Sequence, residues 1–282
     1  MLQVSNVVVR LPNGKCLVND VSFSVGRGEF VSILGSSGAG KSLTLRCIVG
    51  LTKPCQGEIT LSGPAGDTYR TTHVDGRELR RARRHIGLIF QGSNLVKRLT
   101  VLENVMMGRL GQIHPVRSWL LGFTDREARE AMVVLDRVNM APFAARLAGS
   151  LSGGEIQRVS IARAIYQKPL VYLADEPISS LDPKNAEAVM SILQPLSREN
   201  PVIGAFHQPA VVARYCSCVI GIRGGKVVYD GPANLFAGQL EAIYGDANGE
   251  SWISGRTEGG QPMMFGPNVQ SGLQRRVQGV RV

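Results

Sequence analysis

The sequence predicts an α/β protein built around a parallel sheet, and three observations carry that expectation. An apolar run of strand length, Phe30-Val31-Ser32-Ile33-Leu34, leads through a glycine-rich turn into a helical stretch at 43–49. Two further runs, Val171-Tyr172-Leu173-Ala174 and Val202-Ile203-Gly204-Ala205-Phe206, are continuously apolar, as in strands covered on both faces. The chain is long enough, at 282 residues with 44% hydrophobic residues, to bury a large core.

Taken in order, residues 2–9 and 21–25 alternate apolar and polar side chains, as in Val21-Ser22-Phe23-Ser24-Val25. They read as two strands joined through the turn Pro12-Asn13-Gly14. Gly26-Arg27-Gly28 then turns the chain into the strand at 30–34. Residues 57–63 form a short strand, and the Gly-, Pro- and polar-rich residues 64–76 a loop. A basic helix at 77–84 precedes a buried strand at 86–90 that ends at Gln91. From 92 to about 148 the pattern is helical. Thr100 with Glu103, and Thr124 with Glu127, each place a capping residue three positions before a carboxylate, the second opening a helix at about 125–138. Between them, the apolar and aromatic stretch 114–123 is expected to pack on neighbouring helices rather than touch a membrane or a partner. Residues 156–166 form an amphipathic helix. The runs 219–222 and 226–229 flank Arg223-Gly224-Gly225 as a hairpin, and 246–282, rich in Gly, Gln, Asn and Arg, read as a disordered tail.

Net charge is +10, a balance that favours nucleic acid or an anionic membrane surface. The densest cluster, Arg77-Glu78-Leu79-Arg80-Arg81-Ala82-Arg83-Arg84, has no interleaved aromatics, which weakens a nucleic-acid reading. A solvated helix face is the plainer one. No apolar run nears the ~20 residues of a membrane span, and the first residues lack the charged and apolar regions of a signal peptide, so a cytoplasmic protein is expected. The five cysteines are scattered, with no C-x-x-C pair. Reduced thiols are expected, and Cys216-Ser217-Cys218 reads as strand or core rather than as a metal site.

Chemistry enters at the glycine-rich turn. Gly35-Ser36-Ser37-Gly38-Ala39-Gly40-Lys41-Ser42 has the spacing G-x-x-x-x-G-K-S, that of a phosphate-binding P-loop. Glycines let successive N–H groups point at phosphate oxygens, and the helix N-terminus adds partial positive charge. Lys41 suits the β- and γ-phosphates of a nucleotide, and the Ser42 hydroxyl suits Mg²⁺. Downstream, the strand at 171–174 ends in Asp175-Glu176. Asp175 suits Mg²⁺, directly or through water, and Glu176 suits a general base for the attacking water. Leu151-Ser152-Gly153-Gly154-Glu155 opens another helix, so Ser152, Gly153 and Gly154 offer a second phosphate-ready N-terminus. If the two anion sites cannot meet within one subunit, two subunits must face head to tail, with each ATP between Lys41 of one and Ser152 of the other.

These motifs, in this order, resemble the ATP-binding subunits of ABC transporters over residues 1 to about 245. By that resemblance Gln91 is the Q-loop glutamine, 151–155 the signature, 171–176 the Walker B strand, Ser180-Leu181-Asp182 the D-loop and His207 the switch histidine. It implies a P-loop NTPase with a RecA-like core, an antiparallel β subdomain and a helical subdomain at about 92–165. It also implies ATP and Mg²⁺ as cofactors, and an ATPase homodimer that closes on two ATP and reopens after hydrolysis. Gln91 would sense Mg²⁺ and the γ-phosphate and connect the core to the helical subdomain. His207 would contact the γ-phosphate and help position water.

Three departures from the family pattern stand out: Glu155 for the usual glutamine, Leu43 where threonine is common, and no aromatic in Val9-Arg10-Leu11-Pro12 for adenine to stack on. Within the family, residues 90–105, the Trp-containing insertion after Gly111, residues 176–183, and His207-Gln208 with Tyr215-Cys216 resemble phosphonate-import ATPase subunits. That likeness implies a subunit at the cytoplasmic face of the inner membrane, working with membrane-spanning permease subunits and, indirectly, a solute-binding protein. The competing readings are an importer of another oxyanion or an amino acid, a soluble ABC protein acting on nucleic acid or ribosomes, and a catalytically dead binding module. The single P-loop and signature disfavour the soluble reading. Intact Lys41, Asp175, Glu176 and His207 disfavour the last.

Overall fold

The structure is a computed structural model and describes residues 1–90, 92, 94–112 and 123–245. Gln91, the 114–122 part of the apolar insertion and the 246–282 tail lie outside the described residues. Phe123, at the end of that insertion, is described and packs on the main core.

Six strands form the central sheet in the order β10-β9-β3-β8-β7-β6. They are β3 (Phe30–Leu34), β6 (Ile86–Ile89), β7 (Val171–Asp175), β8 (Val202–Ala205), β9 (Cys218–Arg223) and β10 (Lys226–Pro232). All neighbours pair in parallel except the β9–β10 hairpin. The continuous apolar runs have the expected cause, since each strand feeds two cores. Phe30 and Leu34 of β3 join one cluster with the helices, while Val31 and Ile33 join the other. Tyr172 and Ala174 divide from Val171 and Leu173 in the same way.

The second cluster is closed by a four-stranded antiparallel sheet, β2-β1-β4-β5. Its strands are β1 (Leu2–Arg10), β2 (Cys16–Val25), β4 (Gln56–Ser62) and β5 (Thr68–Arg70). Two expectations need correction here. The second strand starts at Cys16 rather than 21, because register irregularities along its pairing with β1 break the alternation that marks a strand. The 64–76 segment is not all loop. Thr68–Arg70 pairs with Thr60–Ser62, a three-residue edge strand too short to show periodicity.

Helices α1 (Lys41–Ile48), α2 (Gly76–Arg83), α3 (Val101–Met106), α4 (Asp125–Arg137), α5 (Gly153–Tyr166), α6 (Pro183–Glu199), α7 (Pro209–Tyr215) and α8 (Leu240–Tyr244) complete the fold. Thr100 and Thr124 both form the expected capping boxes. Asp75 caps α2 by accepting from the Arg77 and Glu78 N–H groups at 2.7 and 2.8 Å. The basic cluster is largely exposed, but Arg83 departs from the solvated-face reading. Its Nε and Nη2 donate to the Val49 and Gly50 carbonyls at 3.0 and 2.8 Å, capping the end of the helix that begins at the P-loop. Cys216 is buried and Cys218 opens β9. Between them, the Ser217 hydroxyl accepts from Phe30 N–H and donates to Phe30 C=O.

Asn104, fully buried on α3, organises the segment before that helix. Its Oδ1 accepts from Val96 N–H at 2.8 Å, and its Nδ2 donates to the carbonyls of Val96 and Thr100 at 3.1 and 2.9 Å. Each buried backbone group left without a partner costs about 1–3 kcal/mol. Asn104→Leu orphans the Val96 N–H, while the Val96 and Thr100 carbonyls keep the Leu99 and Asn104 backbone N–H groups at 3.0 Å each. It is expected to destabilise the protein by roughly 1–3 kcal/mol, measured as a shift of the urea midpoint.

Candidate active site

The P-loop bridges β3 and α1 and touches both sheets. Gly35 and Gly40 have positive φ angles of 155° and 107°. A β-carbon at Gly35 would sit 2.2 Å from the Ile222 carbonyl oxygen on β9, and one at Gly40 would sit 2.8 Å from the Leu17 carbonyl oxygen on β2. Both positions therefore require glycine for conformation and for space.

Lys41 is buried, and its Nζ donates to the carbonyls of Gly35 and Ser36 at 2.8 and 3.0 Å. Burial lowers its pKa, while the nearby Glu176 and Asp175 carboxylates pull in the opposite direction. The next residue, Ser42, donates its hydroxyl to Asp175 Oδ1 at 2.7 Å. A hydroxyl and a carboxylate thus converge beside the loop from α1 and the end of β7. This is an all-oxygen donor set of the kind Mg²⁺ takes, so the residues fit that ion.

Glu176 follows at once, with φ of 48°. A non-glycine residue in this region stores about 1–3 kcal/mol of strain. Its Oε1 lies 2.6 Å from Nε2 of His207, just beyond the end of β8. The side chains stay partly open, 19% exposed for Glu176 and 38% for His207, so water can reach them. Adjacent parallel strands therefore carry the acid–imidazole pair, one at the end of each.

Ser152 is the N-cap of α5 and lies exposed. Glu155 closes a capping box with it. Glu155 Oε2 accepts from the Ser152 N–H and hydroxyl at 2.7 and 2.8 Å, and these bonds hold its carboxyl below the usual range. Towards Ser152 the carboxylate is an acceptor, a role a glutamine carbonyl also fills, and its charge adds an ion pair with Arg146 at 4.0 Å. Gly153 is exposed. Gly154 is buried against α6, where a β-carbon would lie 2.4 Å from Asn185 Oδ1. Asp182, of the stretch resembling a D-loop, caps α6 through the Asn185 N–H at 3.1 Å.

One subunit thus brings together Lys41, Ser42, Asp175, Glu176 and His207, while Ser152, Gly153 and Gly154 sit on the helical layer. Gln91 falls outside the described residues. Sequence reasoning missed Arg83 and Asn104, and it missed Tyr244, whose hydroxyl is pushed up to about 12 by burial while the neighbouring Gly35 N–H works the other way. A helix of five residues, Leu240–Tyr244, leaves no sequence signal for such a contact.

A P-loop fused to a strand ending in paired acids, a histidine on the adjacent strand and a capped glycine pair on a helical layer define a nucleotide-hydrolysing cassette. A sequence profile described as "ABC transporter" matches residues 18–179, and the chain belongs to the ABC transporter family. Among its relatives are proteins named "Phosphonates import ATP-binding protein PhnC". The one from Bordetella parapertussis is 43% identical over 255 residues, covering 89% of this chain and 98% of the relative. The one from Nitratidesulfovibrio vulgaris is 44% identical over 243 residues, covering 85% and 89%. Among solved structures, a dimeric bacterial ABC transporter cassette superposes with a TM-score of 0.71 at 32% identity, over 83% of this chain and 99% of that one. A cassette dimer in a post-hydrolysis state with ADP and Pi gives 0.70 at 33% identity, with the same coverage.

Proposed function

We propose that this chain is the ATP-hydrolysing subunit of an importer that takes up phosphonates through partner membrane subunits. The observation that carries the ATPase reading is the contiguous array Lys41, Ser42–Asp175 and Glu176–His207. The solute reading is supported by the 43% identity to a phosphonates import protein along nearly its whole length.

Residues 1–245 form the ATPase domain in this reading, with its helical subdomain at about 92–165. Gly35 to Ser42 cradle the phosphates, and Lys41 exchanges the carbonyls of Gly35 and Ser36 for phosphate oxygens. Ser42, Asp175 and Gln91 would hold Mg²⁺, which would supply positive charge to the phosphates. Glu176 takes the proton of the attacking water, and His207 holds Glu176 and the γ-phosphate in register. Ser152, Gly153 and Gly154 serve the nucleotide of a second copy, so the working unit is a homodimer docked on permease subunits, with a solute-binding protein reached only through them. No helix among the described residues is long and apolar enough to cross a membrane, in keeping with a peripheral subunit at the cytoplasmic face. No nucleic-acid partner is invoked.

The decisive test is uptake of labelled phosphonate in a host without its own importer, supplied with this ATPase and its native membrane and binding subunits. Uptake that disappears with Lys41→Ala supports both ATP coupling and the solute. A complex that assembles and hydrolyses ATP without phosphonate uptake rejects the solute alone.

Base selectivity gives a separate expectation. The turn after β1 presents Leu11, 40% exposed, in the stretch where the family often stacks adenine on an aromatic. Base–aromatic stacking is worth roughly 1–3 kcal/mol. Because stacking is tolerant of base identity, ATP and GTP are expected to compete nearly equally for the wild type, with Leu11→Tyr tightening both. A strong ATP preference of the wild type in competition binding would reject this.

A further inference from the structure

Away from the phosphate site, a cavity of about 550 Å³ opens between the helical layer and α6, a volume typical of small-molecule sites. Arg137 at the end of α4, Arg158 and Ile165 on α5, and Ser191, Ile192 and Pro195 on α6 line it. The arginines that line it hold donors to spare. The Nε of Arg158 is buried with no hydrogen-bond partner among the described residues, whereas buried polar groups ordinarily find one. The Nη1 of the same side chain reaches Asn185 Oδ1 at a long 3.4 Å. Arg137 Nη2 meets Glu199 Oε1 at 3.6 Å, and a guanidinium carries five donors. Pro195 sits inside α6 and has no N–H to return to the Ser191 carbonyl. Ile165 and Ile192 supply an apolar wall.

Two guanidinium groups at one cavity select an oxyanion, because their fork of N–H donors matches its oxygens. The apolar wall selects a carbon body attached to it. We propose that this cavity binds a small organic oxyanion, with its charged head on Arg137 and Arg158 and its apolar body on Ile165 and Ile192. The site is separate from the P-loop and does not depend on which solute is imported. It adjoins the α5–α6 contact through Arg158 and Asn185.

The test is calorimetric titration of phenylphosphonate into the full chain saturated with a non-hydrolysable ATP analogue and Mg²⁺, which fills the γ-phosphate position and so keeps the probe off the P-loop. One equivalent is expected to bind. Arg137→Gln removes a donor at the rim, and Ala188→Leu narrows the cavity from α6. Each is expected to weaken binding about tenfold or more, the loss of roughly one charge-assisted hydrogen bond or of the space it needs, with affinity for the ATP analogue unchanged. No binding, equal binding by both variants, or inorganic phosphate binding as tightly as phenylphosphonate would each overturn the proposal.

Discussion

Glu176→Gln is expected to abolish ATP turnover while leaving ATP bound. The substitution keeps the shape of the side chain and a hydrogen-bonding group facing His207, 2.6 Å away, but removes the basic oxygen. A positioned general base contributes about 10²–10⁴-fold to rate, so single-turnover hydrolysis should fall by that order. Phosphate contacts from Lys41 and the loop are untouched, so the variant should retain ATP and persist as a closed dimer on gel filtration. Hydrolysis at the wild-type rate would reject Glu176 as the base.

Lys41→Ala is expected to lose nucleotide binding itself. Each charge-assisted hydrogen bond is worth about 1.5–3 kcal/mol, so two lost phosphate contacts weaken affinity by roughly 10²-fold or more, readable by equilibrium binding of ATP. The empty fold should survive. Burial lowers the Lys41 pKa, so the unfolded chain holds that proton more tightly than the native one. The charge therefore costs stability at all pH below the folded pKa, including neutral, and the cost fades as pH rises towards the unfolded value. Near neutral pH this relief offsets the loss of the Nζ bonds to the Gly35 and Ser36 carbonyls, so the alanine variant should melt close to wild type, which separates a binding defect from unfolding. A melt far below wild type, or ATP affinity unchanged, would contradict this account.

The sequence carried much of this arrangement for identifiable reasons. The strand–glycine–helix spacing at 30–49 and the strand ending in Asp175-Glu176 are local patterns, and each is legible without knowing its neighbours. Thr100 and Thr124 announced their helices because a capping box is written in four residues; the same box at Ser152 and Glu155 emerged only in the structure. What escaped was non-local or too short. Thr68–Arg70 is a strand only because Thr60–Ser62 lies alongside. Arg83 looked like one of several surface arginines until α1 ended beneath it. The left-handed backbone of Glu176 has no signature in an acidic side chain. The cavity between α4, α5 and α6 arises from helices distant in the chain, so no single stretch foretells it.

The strand that leads into the P-loop lies between β8 and β9, and this placement governs how the protein can be made. Phe30–Leu34 leaves the ribosome early, yet its first hydrogen-bonded neighbour in the sheet begins at Val202. At about 5–20 residues per second of synthesis, the nascent phosphate-binding strand waits roughly 10–30 s with an apolar edge exposed. The antiparallel sheet and the helical segment can form meanwhile, because their partners are already present. Nucleotide-binding competence therefore arrives late and all at once, when β8 and then β9 slot in on either side of β3.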